Sequence, residues 1–81
     1  METIFLDDYL EGGILIEKIF RKKVDSIDWS IYKNKKILIK GCASVPIPTW
    51  AYMILTARLT QYAKYISYGE PCSALEIYKS G

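Results

Sequence analysis

The sequence predicts a small α/β domain: a βαβ core, a preceding amphipathic helix, and short flanking strands in a three- or four-stranded mixed sheet. Three observations predict it. "KILIKGC" (Lys36–Cys42) holds three consecutive apolar residues, the mark of a strand covered on both faces. "PTWAYMILTARLTQYAK" (Pro48–Lys64) is long, apolar and free of internal proline or glycine, as a helix requires. "YISYG" (Tyr65–Gly69) then returns to β-branched and aromatic residues. Strand, helix and strand with short joins make a βαβ unit, with parallel strands and a right-handed crossover.

The elements follow in order. "TIF" (Thr3–Phe5) reads as a short strand, and "DDYLEGG" as a loop punctuated by Gly12 and Gly13. From Ile14 onward, Ile16, Ile19, Phe20, Val24 and Ile27 fall on one helical stripe, opposite Glu17, Lys18, Arg21, Lys22 and Lys23. "SIDWSIYKNKK" connects this helix to the next strand, with a helical turn at Trp29–Tyr32 and a turn residue at Asn34. Pro48 suits the first position of the second helix, where a missing N–H costs nothing. "ALEIYK" (Ala74–Lys79) alternates apolar and polar residues, as a terminal strand with one wet face does.

Eighty-one residues make one domain, residues 1–81. A chain this short buries a modest core. Its hydrophobic fraction is nevertheless 51%, with seven tyrosines. The second helix is apolar on more than one face, and a sheet covers only one. A second copy of the chain is the expected cover, so a homodimer is predicted, with Trp50, Met53, Ile54 and Ala57 as the candidate interface.

The net charge of +2 points to neither nucleic acid nor an anionic membrane. Arg21, Lys22, Lys23, Lys33, Lys35, Lys36 and Lys40 cluster along the chain and read as solvated faces. Nucleic acid is not an expected partner, since no recognition motif accompanies them. No apolar run approaches the ~18 residues of a membrane span, and the acidic N-terminus is unlike a signal peptide. A cytoplasmic location is therefore expected, with Cys42 and Cys72 as thiols rather than a disulfide.

Those two cysteines are the candidate site. One follows the first strand of the βαβ unit directly, and the other follows the second by three residues. Both belong at the C-terminal edge of the sheet, within about 10 Å given the ~4.8 Å strand spacing. Open α/β sheets bind ligands at that edge, and the helix starting at Pro48 aims its N-terminus there, which lowers thiol pKa values. Three readings stand: packing in the core, metal or cluster binding with Glu70 as an added oxygen donor, and thiol chemistry. Without histidine, no Ser/His/Asp or Cys/His arrangement exists, and two thiolates do not complete a tetrahedral site in one protomer. The residues name no cofactor and no catalytic group.

The pieces "KGC" (Lys40–Cys42), "IPTWAY" (Ile47–Tyr52) and "YGEPCS" (Tyr68–Ser73) resemble the bacterial uncharacterised family 2480 among the domains of unknown function. The resemblance runs along nearly the whole chain. It implies a doubled architecture in longer members, with the "PTWAY" pattern in one half and the "KGC" and "GEPC" patterns in the other. This chain carries all three in one copy, which agrees with a homodimer in place of the doubled protein. The resemblance also implies an accessory role in iron–sulfur cluster assembly, with Cys42 and Cys72 at the matching positions. It carries no catalytic residue onto this sequence. The expected function is thus a binding or assembly module with a protein partner. The alternative is a thiol-based enzyme or sulfur carrier using Cys42 or Cys72.

Overall fold

The computed structural model of the chain describes residues 1–41 and 45–80. These residues form four strands and two α-helices, in the order β1 (Glu2–Phe5), α1 (Glu17–Ser26), β2 (Lys36–Lys40), α2 (Thr49–Leu59), β3 (Tyr65–Tyr68) and β4 (Leu75–Lys79). They form one mixed sheet in the order β1-β2-β3-β4, with β1, β2 and β3 parallel and β4 antiparallel to β3. This is the predicted small α/β architecture, in its four-stranded form. Among the described residues, no helix is long and apolar enough to cross a membrane.

The register explains which residues enter the core. Ile4 pairs with Ile39, Ile37 with Ile66, and Ile66 with Tyr78, so these side chains share one face. Both helices pack there, as right-handed crossovers between successive neighbouring strands require. Phe20 and Val24 bury the inner stripe of α1, and Ala51, Leu55 and Leu59 that of α2. Ala63 extends the second stripe by one more turn. Each fully buried Leu, Ile or Phe contributes about 1.5–3 kcal/mol, so these stripes hold the layers together. An Asp25–Arg58 ion pair joins the helices at the surface, where such pairs contribute about 0–1 kcal/mol.

Both helices are shorter than predicted. Glu11 and Ile14 exchange backbone hydrogen bonds of 2.7 and 3.1 Å across Gly12 and Gly13, both in the left-handed region. That tight turn removes Ile14 from the helix, and α1 begins at Glu17 with Ile16 at its cap. The far end of α2 stops at Leu59 rather than Lys64. Thr60 Oγ1 donates to the Ala57 carbonyl there, a local bond that competes with continued helix. The predicted turn at Trp29–Tyr32 is a 3-10 helix capped by Asp28, which accepts from Ser30 N at 3.1 Å and Ser30 Oγ at 2.6 Å.

Leu38 fits the expected two-sided cover, but no helix supplies the cover on its side. It is 1% exposed, yet it stands outside the helix-packed core. Its row holds Thr3 and Ser67, flanked by Lys36 and Lys40. Lys36 lies over the Tyr65 ring and Lys40 over the Phe5 ring, each 5.9 Å from the centroid. Long aliphatic stems and rings thus shield Leu38 in place of a second helical layer.

Tyr9 packs edge-on against Phe20, with centroids 5.3 Å apart. Its hydroxyl is pushed up to about 12, first by burial and then by the charges of Tyr32 and Asp8. An unfolded tyrosine ionises near 10. The contribution of Tyr9 is therefore complete below about pH 10 and is lost as pH rises toward 12. Tyr9→Phe keeps the ring contact and should make the alkaline loss of melting temperature shallower, followed by circular dichroism between pH 8 and 12. Tyr32 and Tyr52, also raised chiefly by burial, account for the residual slope.

Candidate functional site

The C-terminal edge of the parallel strands gathers the chain's three distinctive pieces. β2 ends at Lys40, and Gly41 follows. β3 ends at Tyr68, and Gly69 turns the chain with φ +113° into Glu70 and the 3-10 turn Pro71–Ser73. Gly69 N donates to the Ile39 carbonyl at 3.1 Å, and Lys40 Nζ lies 3.9 Å from a Glu70 carboxylate oxygen. The chain leaving β3 is thereby tied to the end of β2.

Tyr52 spans the same edge from the first turn of α2. Its ring meets Tyr68 edge-on at 5.4 Å. Its hydroxyl lies over Gly41, so close that a Cβ at position 41 would collide with it. A side chain at position 41 would have to push that hydroxyl aside, a contact that the sequence shows only as a strand ending in glycine. The Tyr52 hydroxyl is raised by burial first, then by Tyr68 and Glu70, so it stays protonated at neutral pH.

The predicted site residues are distributed unevenly around this point. Glu70 sits at the edge, half-exposed beside Lys40. Cys72 is a free thiol exposed on the Pro71–Ser73 turn, so it is not a core residue. Cys42 lies outside the described residues. Of the four candidate interface residues, Trp50 and Ile54 pack against the protomer's own core, Trp50 with its ring 5.6 Å from Phe20. Met53 is 65% exposed, and Ala57 is exposed beside it.

Met53 and Ala57 belong to a larger feature. An apolar groove of about 520 Å³ runs between α2 and the β3–β4 pair, lined by Thr49, Tyr52, Met53, Thr56, Ala57, Tyr68 and Ile77. The five α2 residues have the i, i+3, i+4, i+7, i+8 spacing of one helical stripe. The sequence shows that α2 has more apolar positions than one face uses, but it does not single out this stripe. Ile77 was not legible as part of the groove either. The pairs Ile66–Tyr78 and Ser67–Glu76 leave Ile77 as the extra residue of a β-bulge, which turns it toward the helix side. Tyr52 and Tyr68 join the groove to the edge that carries Glu70 and Cys72. Among the described residues, no group of three or more Cys, Asp or Glu could hold a metal ion.

A family model described as "Protein of unknown function (DUF2480)" matches residues 14–80. The chain belongs to that family, as its sequence pieces indicate. No curated protein and no solved structure matches it.

The Gly41–Tyr52 contact makes a direct prediction. Gly41→Ala should lower stability by about 1–3 kcal/mol, the usual cost of overpacking. Tyr52→Phe in the same chain should recover part of that loss, because it removes the colliding oxygen. A double-mutant cycle by urea unfolding measures the coupling, and additive losses would refute the contact.

Proposed function

We propose that this member of the DUF2480 family is a homodimeric binding or assembly module. In this reading, the groove beside α2 is covered by a second copy about a twofold axis, and the edge with Glu70 and Cys72 is presented to a protein partner. The observation that carries it is the contiguity of exposed apolar side chains. Met53, Tyr68, Leu75 and Ile77 are 65%, 37%, 60% and 41% exposed, and three of them line the groove. Single exposed apolar residues need no explanation, but a contiguous apolar face marks an interface. β4 is the sheet edge beside it, and edge strands are themselves prone to pair with another chain.

The accessory role in iron–sulfur cluster assembly rests on the family resemblance. Glu70 and Cys72 alone do not fit a cluster, which takes four ligands. A shared site would need the second protomer or Cys42, so no step is derived through a cluster. Exposure of Cys72 favours the thiol reading over packing, with this thiol as a sulfur carrier or nucleophile. A cytoplasmic location accords with both readings, because a reducing compartment keeps such a thiol free.

Sedimentation of three proteins tests the module. The wild-type chain should sediment as a dimer of its 9.3 kDa protomer. Met53→Glu should be a folded monomer, since position 53 is exposed within the protomer. Leu55→Glu should unfold, because an unpaired buried charge is strongly unfavourable. A wild-type monomer at tens of micromolar, or a dimeric Met53→Glu variant, would refute the interface. For Cys72, fast alkylation near neutral pH supports the thiol reading, and ordinary slow alkylation removes it.

A further inference from the structure

We infer a second binding site, on the sheet face opposite the helices, that takes a phosphate group. A pocket of about 290 Å³ is lined by Lys36, Lys64, Tyr65, Lys79 and Ser80. Three separate parts of the chain supply the lysines: the start of β2, the approach to β3, and the end of β4. Backbone pairing fixes their meeting. Lys36 pairs with Tyr65, and Tyr65 with Lys79, so two lysines flank one ring on the same face. Lys64 N donates to the Lys35 carbonyl at 3.0 Å, and Ser80 N donates to the Lys64 carbonyl at 2.9 Å, which closes the rim.

The charge arrangement sets this pocket apart. Among the described residues, Arg21, Lys23, Lys35, Lys40 and Arg58 have carboxylate partners. Lys18, Lys22, Lys33, Lys36, Lys64 and Lys79 have none there, and of these Lys36, Lys64 and Lys79 converge on one concavity. Like charges brought together are unfavourable, and a bound anion removes the penalty. The pocket lies just below the usual 300–1,000 Å³ of a site that encloses a drug-sized ligand. It therefore suits a phosphate and its immediate attachment. Lys36 lies 5.9 Å from the Tyr65 ring centroid, so an ammonium and an aromatic ring line the pocket together. A free phosphorylated compound and the backbone of a single-stranded nucleic acid share this chemistry. The site lies on the face opposite the α2 groove.

Amide NMR titrations at low salt, with inorganic pyrophosphate and with a ten-residue oligothymidylate as separate probes, test the inference. At least one probe should shift the Lys64, Tyr65 and Lys79 amides saturably. The Lys64→Gln/Lys79→Gln variant should bind it at least tenfold more weakly, with an unchanged circular dichroism spectrum. A Lys18→Gln/Lys22→Gln control, on the outer face of α1, should bind like the wild type. Tighter, steeply salt-dependent binding of the oligonucleotide would make nucleic acid the source of the phosphate. Binding of pyrophosphate alone would make it a free phosphorylated compound. No shift with either probe, or undiminished binding by the Lys64/Lys79 variant, would overturn the site.

Discussion

The seating of α2 on the central strands is the constraint from which the rest of the structure follows. Ala51, Leu55 and Leu59, all fully buried, rest on the face that carries Ile37, Ile39 and Ile66. This rotation of the helix decides where every other side chain goes. Trp50 and Ile54 turn toward α1, where Trp50 meets Phe20. Tyr52 turns toward the end of β2 and lies over Gly41. Met53 and Ala57 are left facing out, beside β4. A helix apolar nearly all round thus has one face on the sheet, one on its neighbour helix, and one with no cover in the protomer.

Much of this fold was legible in the sequence because its signals are local. Ile37–Leu38–Ile39 mark a central strand whatever surrounds them, and the spacing of Phe20, Val24 and their neighbours marks a helix face. Where the reading departed from the structure, a specific interaction intervened. The Gly12–Gly13 turn delays α1, and the Thr60 side chain ends α2 early. The sequence also showed too many apolar positions on α2, but not how they divide. Trp50 and Ile54 could be separated from Met53 and Ala57 only once the position of α1 was known. Ile77 depends on a bulge, which shifts a side chain between faces without a sequence signature of its own. The lysines of the open face are far apart in the chain, and only strand register brings Lys36, Lys64 and Lys79 together.

The two ends of the sheet differ in chemistry. The C-terminal edge of the parallel strands carries Glu70, an exposed thiol at Cys72 and the hydroxyl of Tyr52. The opposite end of the other face carries three ammonium groups around a tyrosine ring. Between them, the groove beside α2 opens on the helix side. The surface of this 81-residue chain thus carries one apolar groove and two polar regions.

The central claim is that the outward stripe of α2 is covered by a second copy. Isotope-filtered nuclear Overhauser spectroscopy on a sample mixed from labelled and unlabelled chains reads that contact atom by atom. The account predicts intermolecular cross-peaks from the Met53 methyl group and the Ile77 methyl groups. Cross-peaks confined to other surfaces, or none at millimolar protein, would contradict it.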